Sequence, residues 1–75
     1  QRLRYTGPGS LVVREVAPGS AADRAGLTPG DVLVELDRTA VRTVDDVRAQ
    51  LRDGRALVDV GRGENRFYTV LEGTP

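Results

Sequence analysis

Between Ala25 and Asp37 the sequence reads AGLTPGDVLVELD, an order of residues that few chain paths accept. Gly26 can take the left-handed conformation that stops a helix, and Leu27 follows it as an apolar anchor. Pro29 presets φ, and Gly30 supplies the positive φ that the third position of a type II turn requires. Asp31 then places a carboxylate where it can accept N–H bonds from the turn. VLVEL, from Val32 to Leu36, reads as a strand with Val32, Val34 and Leu36 on one face and Leu33 on the other. Apolar residues on both faces predict a central position in the sheet.

Upstream, Leu3 and Tyr5 alternate with Arg2, Arg4 and Thr6, the pattern of a half-buried strand. GPG at Gly7 to Gly9 is a tight turn, and SLVVREV from Ser10 to Val16 a second strand, so the pair reads as a hairpin. Ser20 caps a short helix over Ser20 to Ala25, with Asp23 near its positive end. Downstream, DRTAV at Asp37 to Val41 is a turn followed by a short strand. RTVDDVRAQLRDG holds the strongest helix pattern in the chain, over Val44 to Arg52. Thr43 and Asp46 form a capping box with Asp in place of the usual Glu, and Val44, Val47 and Leu51 recur at helical spacing. Gly54 ends it. RALVDVGR alternates Ala56, Val58 and Val60 against Leu57 and Asp59; GEN turns; and RFYTVLE from Arg66 to Glu72 is the last strand. The order β-β-α-β-β-α-β-β predicts a small α+β domain, a curved antiparallel sheet or partial barrel of five to six strands closed by two helices.

With 75 residues the chain is expected to form a single domain over 1–75 with a modest core. Beginning at QRLRYTG and ending at LEGTP, it reads as a module of a larger protein. Eleven basic residues, all Arg, balance eleven acidic ones. A nucleic-acid domain would carry a basic excess, and so would one held to an anionic membrane surface. No apolar run approaches the roughly 18 residues of a membrane span, so no direct membrane insertion is expected.

The sequence holds no His, Cys or Lys, which removes the nucleophile–base pairs built on them. A metal site would need several converging carboxylates without His or Cys, so neither a metal nor a cofactor is expected. Asp45 and Asp46 are neighbours on a helix and diverge by about 100°, whereas paired catalytic carboxylates converge on one bond. They read as first-turn acids that complement the helix dipole. GRGEN at Gly61 to Asn65 lacks the Lys-Ser/Thr pair of a phosphate loop and reads as a hairpin turn. No catalytic residue is expected; this segment by itself is not an enzyme.

VVREVAPGSAADRAGLTPGDVLVELD and VRTVDDVRAQL, together Val12 to Leu51, resemble the central blocks of a PDZ domain. The similarity extends to the bacterial, circularly permuted type, in which a last strand such as RFYTVLE replaces the first. Such domains are attached to envelope proteases: high-temperature-requirement serine proteases, site-2 metalloproteases and related peptidases. The resemblance implies an extracytoplasmic location, periplasmic, secreted or membrane-associated. Where the family often has Asn-Gly, this chain has Asp37 and Arg38, which leaves the turn type there open.

The resemblance implies a peptide-binding module that takes a C-terminus or another extended segment by strand addition. The groove would lie between the strand carrying Leu3, Arg4, Tyr5 and Thr6 and the helix carrying Val44, Arg48 and Leu51. The family's carboxylate loop, an apolar-Gly-apolar stretch, is placed upstream of Gln1. The rival placement at YTGPG suffers from Pro8, which has no N–H to offer. Val44 is either a core residue or a groove residue. Arg48 is either a groove residue or a surface partner of Asp45, three residues earlier. The other functional reading is a structural or regulatory domain that packs on the parent's catalytic domain and binds no free peptide.

Overall fold

The structure, a computed structural model, describes residues 10–73. The strand expected at Leu3–Thr6 and the turn at Gly7–Gly9 lie outside the described residues. The elements run β1 (Leu11–Val12), α1 (Ala21–Arg24), β2 (Val32–Leu36), β3 (Thr39–Ala40), α2 (Val44–Gln50), β4 (Arg55–Arg62) and β5 (Asn65–Glu72). One antiparallel sheet has the order β1-β2-β4-β5, with β3 hairpinned onto β2. This is the α+β arrangement of an open five-stranded sheet with two helices, and β2 is central in it.

The stretch from Ala25 to Asp37 does what its residues dictate. α1 is capped by the Ser20 hydroxyl, which accepts from the Asp23 N–H. It is followed by Gly26 at φ +83°. Leu27 is buried in the core. Gly30 lies at φ +95°. The Asp31 carboxylate accepts the Thr28 N–H at 2.8 Å, tying the turn to the strand it launches.

Two strand expectations need correction. β1 covers Leu11–Val12 rather than Ser10–Val16. Val13 still bonds across, donating to Asp31 O and accepting from Gly30 N at 2.8 Å each. Beyond it the opposing chain has entered the Thr28–Gly30 turn, so among the described residues Arg14 to Val16 have no strand to pair with. In β2, Leu33 and Leu36 both enter the core cluster, although strict alternation put them on opposite faces. The register against β4 shifts between Leu33 and Glu35, and an extra residue in a bulge reverses the alternation beyond it.

Leu36, Val58 and Val60 are fully buried at the centre of the core. Leu27, Val41 and Leu71 pack around them, and Val47 and Leu51 seat α2 on this cluster. α2 ends at Gln50, with Leu51 as its C-cap. A further turn leads to Gly54, whose N–H reaches Leu51 O. The Asp37-Arg38 turn left open by the sequence has both residues at positive φ, 50° and 67°. That is the pattern of a type I′ hairpin, whose twist matches the strands it joins.

Candidate functional site

α2 is positioned from its first residue. Thr43 Oγ1 accepts the Asp46 N–H at 3.1 Å. The Asp46 carboxylate returns the bond to the N–H groups of Thr43 (3.1 Å) and Arg42 (2.9 Å). The Arg42 N–H above all holds the Asp46 carboxyl below its usual range. With its start fixed, the helix turns Val44 and Val47 to one side, three residues apart. Val47 is half-buried against the core, and Val44 remains 58% exposed.

Across from this face lies β1. Between them runs an open groove of about 240 Å³, lined by Leu11 and Val13 on the strand, Val44 and Val47 on the helix, and the buried Leu33 and Leu71. Glu15 is the one charged residue among those lining it. A groove of this composition takes an apolar side chain by excluding water. Among the described residues no cluster of His, Cys, Asp or Glu could hold a metal ion, and no helix is long and apolar enough to cross a membrane.

The structure distributes the sequence candidates unevenly. Val44 faces the groove. Leu51 is half-buried, packed against the core. Arg48 is exposed on α2, its guanidinium 3.6 Å from the Asp45 carboxylate, with both side chains largely in water. Leu3, Arg4, Tyr5 and Thr6 lie outside the described residues. Leu11 and Val13 escaped the sequence reading as lining residues, although the alternation of SLVVREV already gave them one face.

Two ion pairs, each with a buried carboxylate and a half-exposed arginine, also escaped it. Asp31 and Arg62 meet through a forked pair of bonds, Nε to Oδ1 and Nη2 to Oδ2, each 2.8 Å. Burial pushes the Asp31 carboxyl up, but the Arg62 bonds and the Thr28 N–H outweigh it, and the group lies below its ordinary value. Arg62 also donates to Gly26 O at 2.9 Å and lies over the Phe67 ring at 4.7 Å. Asp59 is covered by Arg66, whose Nε donates to it at 2.7 Å. Both pairs serve the frame of the domain and lie outside the groove lining.

Comparison with known proteins bears on this arrangement. A family model described as PDZ domain matches residues 12–62. A protein of Arabidopsis thaliana named as protease Do-like 14 is 38% identical over 66 residues, 87% of this chain and 14% of that protein. A protein of Rhizobium meliloti named as a zinc metalloprotease is 54% identical over 37 residues, 49% of this chain and 10% of that protein. The chain thus spans only a small fraction of these curated relatives. Among solved structures, the HtrA3 PDZ domain bound to the phage-derived ligand FGRWV matches with a TM-score of 0.76 at 25% identity. The match covers 91% of this chain and 66% of that one.

Proposed function

Because the chain belongs to the PDZ domain family, a family of binding modules rather than catalysts, we propose that it recognises an extended peptide, and in particular a free C-terminus. The apolar groove between β1 and α2, with Val44 exposed at its lip, is the observation that carries this reading. The peptide adds as a strand beside Leu3, Arg4, Tyr5 and Thr6. Its main chain supplies affinity and one apolar side chain enters the groove. Leu51 supports the helix that forms the groove wall. Arg48, one turn beyond Val44, selects at the ligand's third-from-last residue. β5, paired with β4 at the sheet edge, stands in the permuted arrangement where a first strand would lie.

The parent is, on this reading, a bacterial protease working outside the cytoplasm or at a membrane, and the domain docks its substrates or partners. The Do-like and metalloprotease names of the relatives support the protease association. The parent's catalytic domain is then a second, covalently linked partner.

The test is a titration of peptides ending in an apolar residue, as free acid and as amide, against this chain and against one extended upstream. The free acid should bind the longer chain more tightly, because charge-assisted bonds to a carboxylate contribute roughly 1.5–3 kcal/mol each. Val44→Asp should weaken binding at least about tenfold while leaving the melting midpoint in place, since the side chain is exposed. Arg48→Glu should move the preference at the third-from-last position from acidic to basic residues. An unchanged profile would leave Arg48 as the surface partner of Asp45. If neither chain binds any peptide, the domain is better read as one that packs on its catalytic neighbour.

A further inference from the structure

Among the described residues that line the groove between β1 and α2, all are Leu, Val or Ala except Glu15. Glu15 follows Val13 by two residues, which is at most about 7 Å along the chain. It also lines a second, open depression of about 620 Å³, together with Arg14, Val16, Ala17, Pro18 and Pro29. Its carboxylate is therefore at the place where the apolar groove and this outer depression meet.

Most carboxylates of the domain have a task in the fold. Asp23, Asp31, Asp37, Asp46 and Asp59 each accept at least one hydrogen bond from a turn, a cap, a strand or an arginine. Glu15 does not share in this. Among the described residues its carboxylate has no hydrogen bond and no ion pair, not even with the neighbouring Arg14. The fold thus gives no reason for a charge at this place.

In the free chain Glu15 is exposed, and water satisfies its charge. A peptide laid over the groove displaces part of that water. A carboxylate that loses water without gaining a partner is penalised. A cationic side chain on the peptide supplies the partner, a neutral one does not, and an acidic one adds repulsion. The same carboxylate that is idle in the free domain therefore discriminates among ligands once the groove is covered.

We propose that Glu15 selects a cationic side chain, lysine or arginine, at one position of the bound peptide, within two residues of the apolar side chain that enters the groove. An extended peptide advances about 3.3 Å per residue, so two residues cover the distance from Val13 to Glu15. The inference rests on the peptide-binding reading above and names the ligand class for that site. The site is open to water on the side of the outer depression, so the preference over a neutral residue is about two- to fivefold. Its sign is opposite to the preference assigned to Arg48 on the α2 side, so a position-by-position comparison reads the two separately.

The probe is a series of peptides ending in valine, otherwise glycine and serine, with one lysine, glutamine or glutamate at each of the four preceding positions. Each is titrated by fluorescence anisotropy against this chain and against the one extended upstream. At one position lysine should bind about two- to fivefold more tightly than glutamine, and glutamate more weakly than both, with the advantage shrinking as salt is added. Glu15→Gln should abolish the lysine advantage there, and Glu15→Arg should turn it into a preference for glutamate. Glu72→Gln removes the same charge from β5 and should leave the lysine advantage intact, which separates a local contact from an effect of net charge. Positions 15 and 72 are both exposed, and circular dichroism verifies that the variants fold. If peptides bind but no position favours lysine, the proposal is overturned while the peptide-binding reading stands. A lysine advantage that survives Glu15→Gln, or that Glu72→Gln removes equally, overturns it as well. If no peptide binds either chain, both readings fall together.

Discussion

At φ +95°, residue 30 occupies backbone space that an L side chain enters only under strain. A Cβ added there would meet nothing within 4 Å, so the demand for glycine is conformational and not a matter of room. Gly30→Val should therefore lower stability by about 1–3 kcal/mol. Gly30→Asn should cost less, since Asn tolerates the left-handed region. Thermal melts of the three proteins decide this, and an unchanged midpoint for the valine variant would mean that the turn does not constrain the fold. This turn was legible because its geometry is set by three adjacent residues. The Asp37-Arg38 turn was not. Asp37 tolerates positive φ but Arg38 has no preference for it, and the twist of the hairpin between β2 and β3 imposes it there.

The same division separates one element from another. The start of α2 was legible to the residue because it is a local event, the reciprocal bonds between Thr43 and Asp46, whereas its end falls at Gln50 and not at Arg52. A seven-residue helix is too short to persist on propensity alone; it depends on that cap and on Val47 and Leu51 seated against the core. Thr43→Ala should cost about 0.5–2 kcal/mol. Because the cap also orients Val44, it should weaken peptide binding as well. Measuring both for Thr43→Ala and Thr43→Ser separates the roles: serine restores the hydroxyl and should return both quantities together. If stability alone recovers, α2 is not the groove wall. β1 and β2 were less legible. How far β1 extends depends on where its partner turns away. Which face Leu36 takes depends on a bulge next to it. Neither fact is written in the residues of the strand concerned. Among the expected site residues, Val44 could be placed from helical spacing, whereas the β1 side of the groove needed the sheet.

Across the whole molecule, the feature hardest to read from the sequence is the one that joins its distant parts. Arg62 lies 31 residues from Asp31 along the chain. No spacing rule connects them, and only the pairing of Val32 with Gly61 brings them together. Through Arg62, the tip of the β4–β5 hairpin is fastened to the turn that launches β2 and to the carbonyl of Gly26. Asp31 is 1% exposed and the Arg62 side chain 43% exposed, so water partly screens the pair from one side. Arg62→Met keeps the aliphatic stem but leaves a buried carboxylate facing its turn without the cation. Removing one partner of a fully buried pair costs about 3–5 kcal/mol; with one side open to solvent, about 1–3 kcal/mol is expected here. The pH dependence has a definite sign. The Asp31 carboxyl lies lower in the folded chain than its ordinary value of 3.8, so its contribution is fully present above that value. It is lost as pH falls through the folded one. The stability difference between wild type and Arg62→Met should therefore be constant near neutrality and narrow once the pH drops below about 3.8. Urea unfolding of both proteins across that range measures it. A difference that stays the same down to the acid limit would show that Arg62 acts through Phe67 and Gly26, and that its charge contributes nothing through Asp31.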